Sequence, residues 1–195
     1  MEFNMTTWSL IFLCTSSPIF ASEANPQFSD YSVVISSGPF TDNIVLASNQ
    51  QHFTDKWKHI MQRELLKKVN FAGHYRFYLS WNGELPQECG DERWVCGWVI
   101  DKTTGKIVSE LPEFNGNHAY LSYHANGTPV PEAFEPAFYP QSTMLWINGN
   151  TAPPSNLNNL KCEYRIYNFK ENIFSLIDHG YPCDIDYGDN TSASK

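Results

Sequence analysis

The sequence predicts an α+β, mainly β fold: an antiparallel sheet of about six to eight strands, with one amphipathic helix packed on it and two disulfides stapling it. Three observations predict it. One segment repeats apolar residues three and four apart, several later segments alternate apolar with polar residues between turn signals, and an even set of cysteines follows the N-terminal region.

The N-terminal region reads Trp8 to Cys14 as a short apolar run, then small residues up to Ala21 and Ala24 ahead of a polar stretch, and the first basic residue is Lys56. This is the layout of a secretory signal, too short and too interrupted by Thr, Ser and Pro to span a bilayer. The expected organisation is therefore a signal peptide over 1–24, one mainly β domain over 25–187 and a disordered tail over 188–195. Removal of the signal takes Cys14 with it and leaves Cys89, Cys96, Cys162 and Cys183. An even count in an exported domain reads as disulfides. Of the three pairings that four cysteines allow, Cys89–Cys96 and Cys162–Cys183 each close a local loop. Neither spacing supplies the compact Cys-x-x-Cys pairs of a structural zinc site.

Tyr31–Ile35 is a short strand candidate before a Ser-Ser-Gly-Pro turn. From Thr54 to Val69, Trp57, Ile60, Met61, Leu65 and Val69 form an apolar stripe, while Lys56, Lys58, Arg63, Glu64, Lys67 and Lys68 take the other face. Thr54 is the expected N-cap, Asp55 suits the positive end of the helix dipole, and Lys67 and Lys68 suit the negative end. The period then changes from 3.6 to 2. Phe71, Tyr75, Phe77, Leu79 and Trp81 share one face of a strand expected to lie on the helix; Ala72, His74, Arg76, Tyr78 and Ser80 share the other. Trp94–Asp101, a turn at Lys102–Gly105 and Lys106–Leu111 complete a three-stranded meander. Pro and Gly punctuate residues 112 to 140 around a strand at Ala119–Tyr123. Thr143–Ile147 and a hairpin of Cys162–Phe169 with Ile173–Ile177 close the domain.

The string Asn70-Phe-Ala-Gly-His-Tyr75 after an amphipathic helix, followed by Ile100-Asp101 and Thr104-Gly105-Lys106, resembles a group of small exported bacterial proteins. Their shared pattern is N-F-A-G-H-Y, W-G-C-G, a second Cys and I-D-x-x-T-G-K-V. The resemblance covers residues 52 to 177 and implies export and a β fold; most members are uncharacterised. This chain departs from the pattern at Asn82–Glu88, inserted between Trp81 and the first cysteine. The layout of a strand, a Cys-bracketed loop and a return strand is also similar to that of periplasmic lysozyme inhibitors of the Ivy type.

The net charge of −8, from 21 acidic and 13 basic residues, disfavours nucleic acid and anionic lipid and favours a cationic partner. No Gly-x-Ser-x-Gly, His-Glu-x-x-His or phosphate-binding Gly loop occurs, and no catalytic residue is assigned. Asp184, Asp186 and Asp189 resemble the start of a calcium loop without its closing glutamate, so they read as a solvated tail. No cofactor and no metal are expected. His74 and Arg76, on one strand face, are candidates for contact with a partner. So are Asp91, Glu92, Arg93 and Trp94, because a disulfide at the base of a short loop lowers the entropy lost when the loop is presented. These features predict a periplasmic or secreted binding protein of the inhibitor or immunity class. It would neutralise a cationic exported enzyme by direct contact, without stable membrane insertion. The alternative is a hydrolase or carbohydrate-active domain using His74, Asp101 and Glu residues of the meander.

Overall fold

The structure, a computed structural model, describes residues 25–112, 119–124, 126–130, 134–152 and 159–181. The signal-peptide reading of 1–24, Cys183, the carboxylates Asp184, Asp186 and Asp189, and the tail over 188–195 lie outside the described residues. The helix starts at its expected N-cap but ends a turn early, α1 over Asp55–Leu65 and not on to Val69, with the Thr54 hydroxyl accepting the Trp57 N–H. The meander follows as β1 (Tyr75–Ser80), β2 (Cys96–Asp101) and β3 (Ile107–Glu110). The remaining strands are β4 (Ala119–Tyr120), β5 (Glu135–Phe138), β6 (Met144–Ala152), β7 (Lys161–Lys170) and β8 (Ile173–Gly180).

These strands do not make the one sheet that the sequence predicts. They divide into a three-stranded sheet, β1-β2-β3, and a five-stranded sheet in which β6 pairs with β4, β5 and β7, and β7 pairs with β8. The physical reason lies in β2, where Cys96 to Ile100 are all buried. Both faces of the small sheet are apolar and each needs a cover. On one face Tyr78, Trp98 and Ile100 meet Trp57, Ile60, Met61 and Leu65 of α1. On the other, Phe77 and Val99 meet Leu145, Ile147, Tyr167 and Phe169 of the larger sheet. The Phe71–Phe77 side of β1 therefore lies on the second sheet, not on the helix as expected; alternation says which residues share a face but not what covers it.

Tyr31–Ile35 is not a strand. Phe28–Tyr31 makes a single 3-10 turn, Ser32 forms one bridge to Ser142, and Val34 is 91% exposed. This segment instead lays Phe28 and Tyr31 over Met144, Trp146 and Ile166, closing the outer face of the larger sheet. The sequence reading also missed β5, whose Pro136 suits an edge strand that pairs on one side only. Cys89 and Cys96 are joined, with Cα atoms 5.3 Å apart. Cys162 is disulfide-bonded too, and Cys183, its expected partner, lies outside the described residues.

The motif Asn70–Tyr75 is a structural corner. Phe71 is fully buried, Ala72 and Gly73 turn the chain with φ of 44° and 85°, and Gly73 donates to the Pro140 carbonyl. At Gly73 an added Cβ would stand 2.9 Å from the Val34 carbonyl oxygen, so both the positive φ and the close approach call for glycine.

Candidate functional site

The loop from Cys89 to Cys96 is built on the core, since both sulfurs lie in the cluster beneath α1. From there Gly90 turns the chain with a φ of 94°. Asp91 then folds back to accept from the Arg93 backbone N–H at 2.8 Å and from its Nε at 3.0 Å. The hydrogen bond from Arg93 holds the Asp91 carboxyl below the usual carboxylate range and outweighs burial, which acts the other way. The return arm is sewn to the chain at β4: Val95 donates to the Tyr120 carbonyl, and Ser122 donates to that of Arg93. Trp94 bridges to Leu121 and packs half-buried against Leu121 and Val130. Of the four loop candidates, Glu92 is thus the exposed one, while Asp91 and Arg93 satisfy each other and Trp94 serves packing.

His74 and Arg76 sit at the other end of the small sheet. Cys96 pairs across from Ser80 and Asp101 from Tyr75. His74 is therefore about 20 Å along the strand from the stapled end, at roughly 3.3 Å per residue. The two engage different carboxylates. His74 Nε2 lies 3.6 Å from Asp101 Oδ1. Burial pushes Asp101 up, but hydrogen bonds from Thr103 and Thr104 outweigh it and hold the carboxyl below its usual range. Arg76 belongs to a different carboxylate, with Nε and a terminal nitrogen 3.0 and 2.8 Å from Glu64 Oε2. Lys67 reaches the other oxygen of Glu64 at 2.6 Å and Arg63 stands 3.4 Å away. Glu64 is not on the solvated helix face where periodicity puts it; its side chain is only 2% exposed, drawn inward by Arg76. Burial pushes its carboxyl up, and the bonds from Lys67 and Arg76 prevail, leaving it lowered.

An open groove of about 580 Å³ runs between β1 and β5, and sequence reasoning did not find it. Arg63, Lys67 and Arg76 line it from the α1 side, and Phe138 and Tyr139 from the larger sheet. Trp81 and Glu84 also line it, and the Tyr78 hydroxyl donates to Glu84 Oε2 at 2.6 Å. The signals were present but separate: Arg63 in the last turn of the helix, Lys67 just past its end, and a Trp after a strand. What joins them is β5, which the prolines concealed.

No family model, curated protein or solved structure matches this chain. Among the described residues no group of three or more His, Cys, Asp or Glu could hold a metal ion, and no helix is long and apolar enough to cross a membrane.

Proposed function

We propose that the chain is a periplasmic or secreted binding protein of the inhibitor or immunity class, which neutralises an exported enzyme, such as one that degrades the cell wall, by direct contact. The observation that carries this reading is the Cys89–Cys96 loop. It is anchored in the core by its disulfide, braced inside by Asp91 and Arg93, and leaves Glu92 at an exposed tip. A loop ordered before encounter loses little entropy on binding. A buried disulfide also agrees with an oxidising compartment. The net charge of −8 favours a cationic enzyme, because complementary charge raises the association rate.

The hydrolase alternative needs a titratable group poised to move a proton. Asp101 is committed to two threonines and His74, Glu84 to the Tyr78 hydroxyl and Glu88 to Thr54. Those engagements favour binding; Glu110, whose carboxyl burial pushes above its usual range, is a meander carboxyl that remains to the alternative.

The test is capture from envelope extract on immobilised mature protein, followed by titration of the captured enzyme's activity. Wild-type protein should retain and inhibit an enzyme, and Glu92→Lys should lose both while its circular dichroism is unchanged. Equal capture by the two proteins, or capture without inhibition, would sink the loop reading.

A further inference from the structure

We propose that the groove between β1 and β5 binds an extended peptide segment whose acidic and apolar side chains alternate, and whose main chain pairs with the free edge of β1 at Leu79. β1 is an edge strand, bonded to β2 on one side only. The main-chain groups on its outer side are those of Tyr75, Phe77 and Leu79, because N–H and C=O direction alternates along a strand. Tyr75 is paired with Phe71 through bonds of 3.0 and 3.2 Å. Phe77 is paired with the side chain of Asn70, whose Oδ1 accepts its N–H at 2.7 Å and whose Nδ2 donates to its carbonyl at 2.9 Å. Asn70 thus presents a planar amide to the edge as a neighbouring strand would. Two residues on, where the groove opens, the N–H and C=O of Leu79 have no partner among the described residues.

The walls select what lies alongside. A strand added next to β1 would send successive side chains to opposite faces. On one face it meets the helix side, where Arg63 and Lys67 are 56% and 48% exposed and share Glu64, itself buried, with Arg76. Three cations against the carboxylates of Glu64 and Glu84 leave this groove positive, on a chain of net charge −8. On the other face the strand meets Phe138 and Tyr139; Trp81, 39% exposed, also lines the groove. Pairing by main-chain hydrogen bonds with pockets for alternate side chains is an established mode of peptide recognition. The occupant is therefore an extended acidic segment of a protein partner. The groove and the stapled loop have no lining residue in common.

The experiment uses the mature chain and a fluorescent peptide of alternating Glu and Val, with two controls: the same peptide with Lys for Glu, and the Glu peptide N-methylated on its backbone. Anisotropy should show saturable binding of the Glu peptide and none of the Lys peptide. N-methylation should weaken binding by about tenfold, as expected for main-chain hydrogen bonds lost. Arg63→Glu/Lys67→Glu should abolish it. In wild-type protein, hydrogen exchange at the Leu79 amide should slow when the Glu peptide is added. Absence of saturable binding, equal binding of the methylated peptide, or unchanged Leu79 exchange would each overturn the proposal.

Discussion

Glu88 accepts hydrogen bonds from both the backbone N–H and the hydroxyl of Thr54, at 3.0 and 2.5 Å, and so fixes the residue that caps α1. At the far end of the helix Lys102 donates its buried ammonium to the Leu65 carbonyl. An anion thus stands at the positive end of the helix dipole and a cation at its negative end, each supplied by the chain around the small sheet. Glu88 adjoins Cys89, so helix and stapled loop share one anchor.

From that anchor follows the first prediction. Glu88→Ala removes a buried acceptor and leaves the Thr54 N–H unsatisfied, which costs about 1 to 3 kcal/mol. Glu88→Gln keeps one carboxamide oxygen as acceptor and should lose less. Urea unfolding followed by circular dichroism measures both; an Ala variant as stable as wild type would contradict the anchor.

Asn70 gives the second prediction. Its amide makes one accepted and one donated bond to Phe77. Asn70→Ala loses both and should destabilise by about 1 to 3 kcal/mol, at roughly 0.5 to 1.5 per bond. Asn70→Asp should be worse than Ala at neutral pH, because its second oxygen would face the Phe77 carbonyl. If Asp were tolerated as well as Asn, the edge pairing would be wrong.

What the sequence made legible followed from how local each signal is. The helix over 54–69 and the hairpin around Lys170–Asn172 rest on near-neighbour patterns, and both formed with shifted ends. The meander Phe71–Leu111 formed as well. The split into two sheets was less legible, because it depends on which surface covers the Phe77 face, a contact between segments some 70 residues apart. β5 was hidden by Pro136, which an edge strand tolerates and a central strand does not. At the candidate site, the disulfide between Cys89 and Cys96 was readable from spacing, but the brace of Asp91 on Arg93 was not. Nor was the inward turn of Glu64, which needed Arg76 from another element to reach it.

Glu64 sets the third prediction, an acid sensitivity. Its carboxyl lies below its ordinary value of 4.5 in the folded chain, because Lys67 and Arg76 outweigh burial. A depressed folded value means the unfolded chain takes up the proton first as pH falls. The contribution of Glu64 is thus fully present above about pH 4.5 and is lost as pH drops through the lowered value. Glu64→Gln leaves Arg76 without its anion, a loss of about 3 kcal/mol for a buried pair with one partner removed. The stability of wild type and variant, measured by urea unfolding from pH 7 to pH 3, should differ most at neutral pH and converge in acid. A constant gap across that range would refute the linkage.

The fourth prediction concerns the staple itself. Cys89 and Cys96 are seven residues apart in sequence, and a closed loop of that size removes about 2.5 kcal/mol of unfolded-chain entropy in the loop-closure treatment. A reductant is a poor probe because Cys162 is disulfide-bonded as well. The double substitution Cys89→Ala/Cys96→Ala acts on the one bond and leaves no buried thiol behind. Since Val95 and Ser122 still tie the return arm to the chain at β4, the native loop should persist in the folded variant, with its unfolding midpoint moved to lower urea by the equivalent of about 2 to 3 kcal/mol. Among the described residues, Gly90 to Glu92 carry no such ties beyond the Asp91–Arg93 brace. Hydrogen exchange should therefore accelerate there first, and, on the proposed binding role, affinity for an enzyme partner should fall through a faster dissociation rate. Lost stability with unchanged dissociation would confine the disulfide to a structural role and separate the loop from binding.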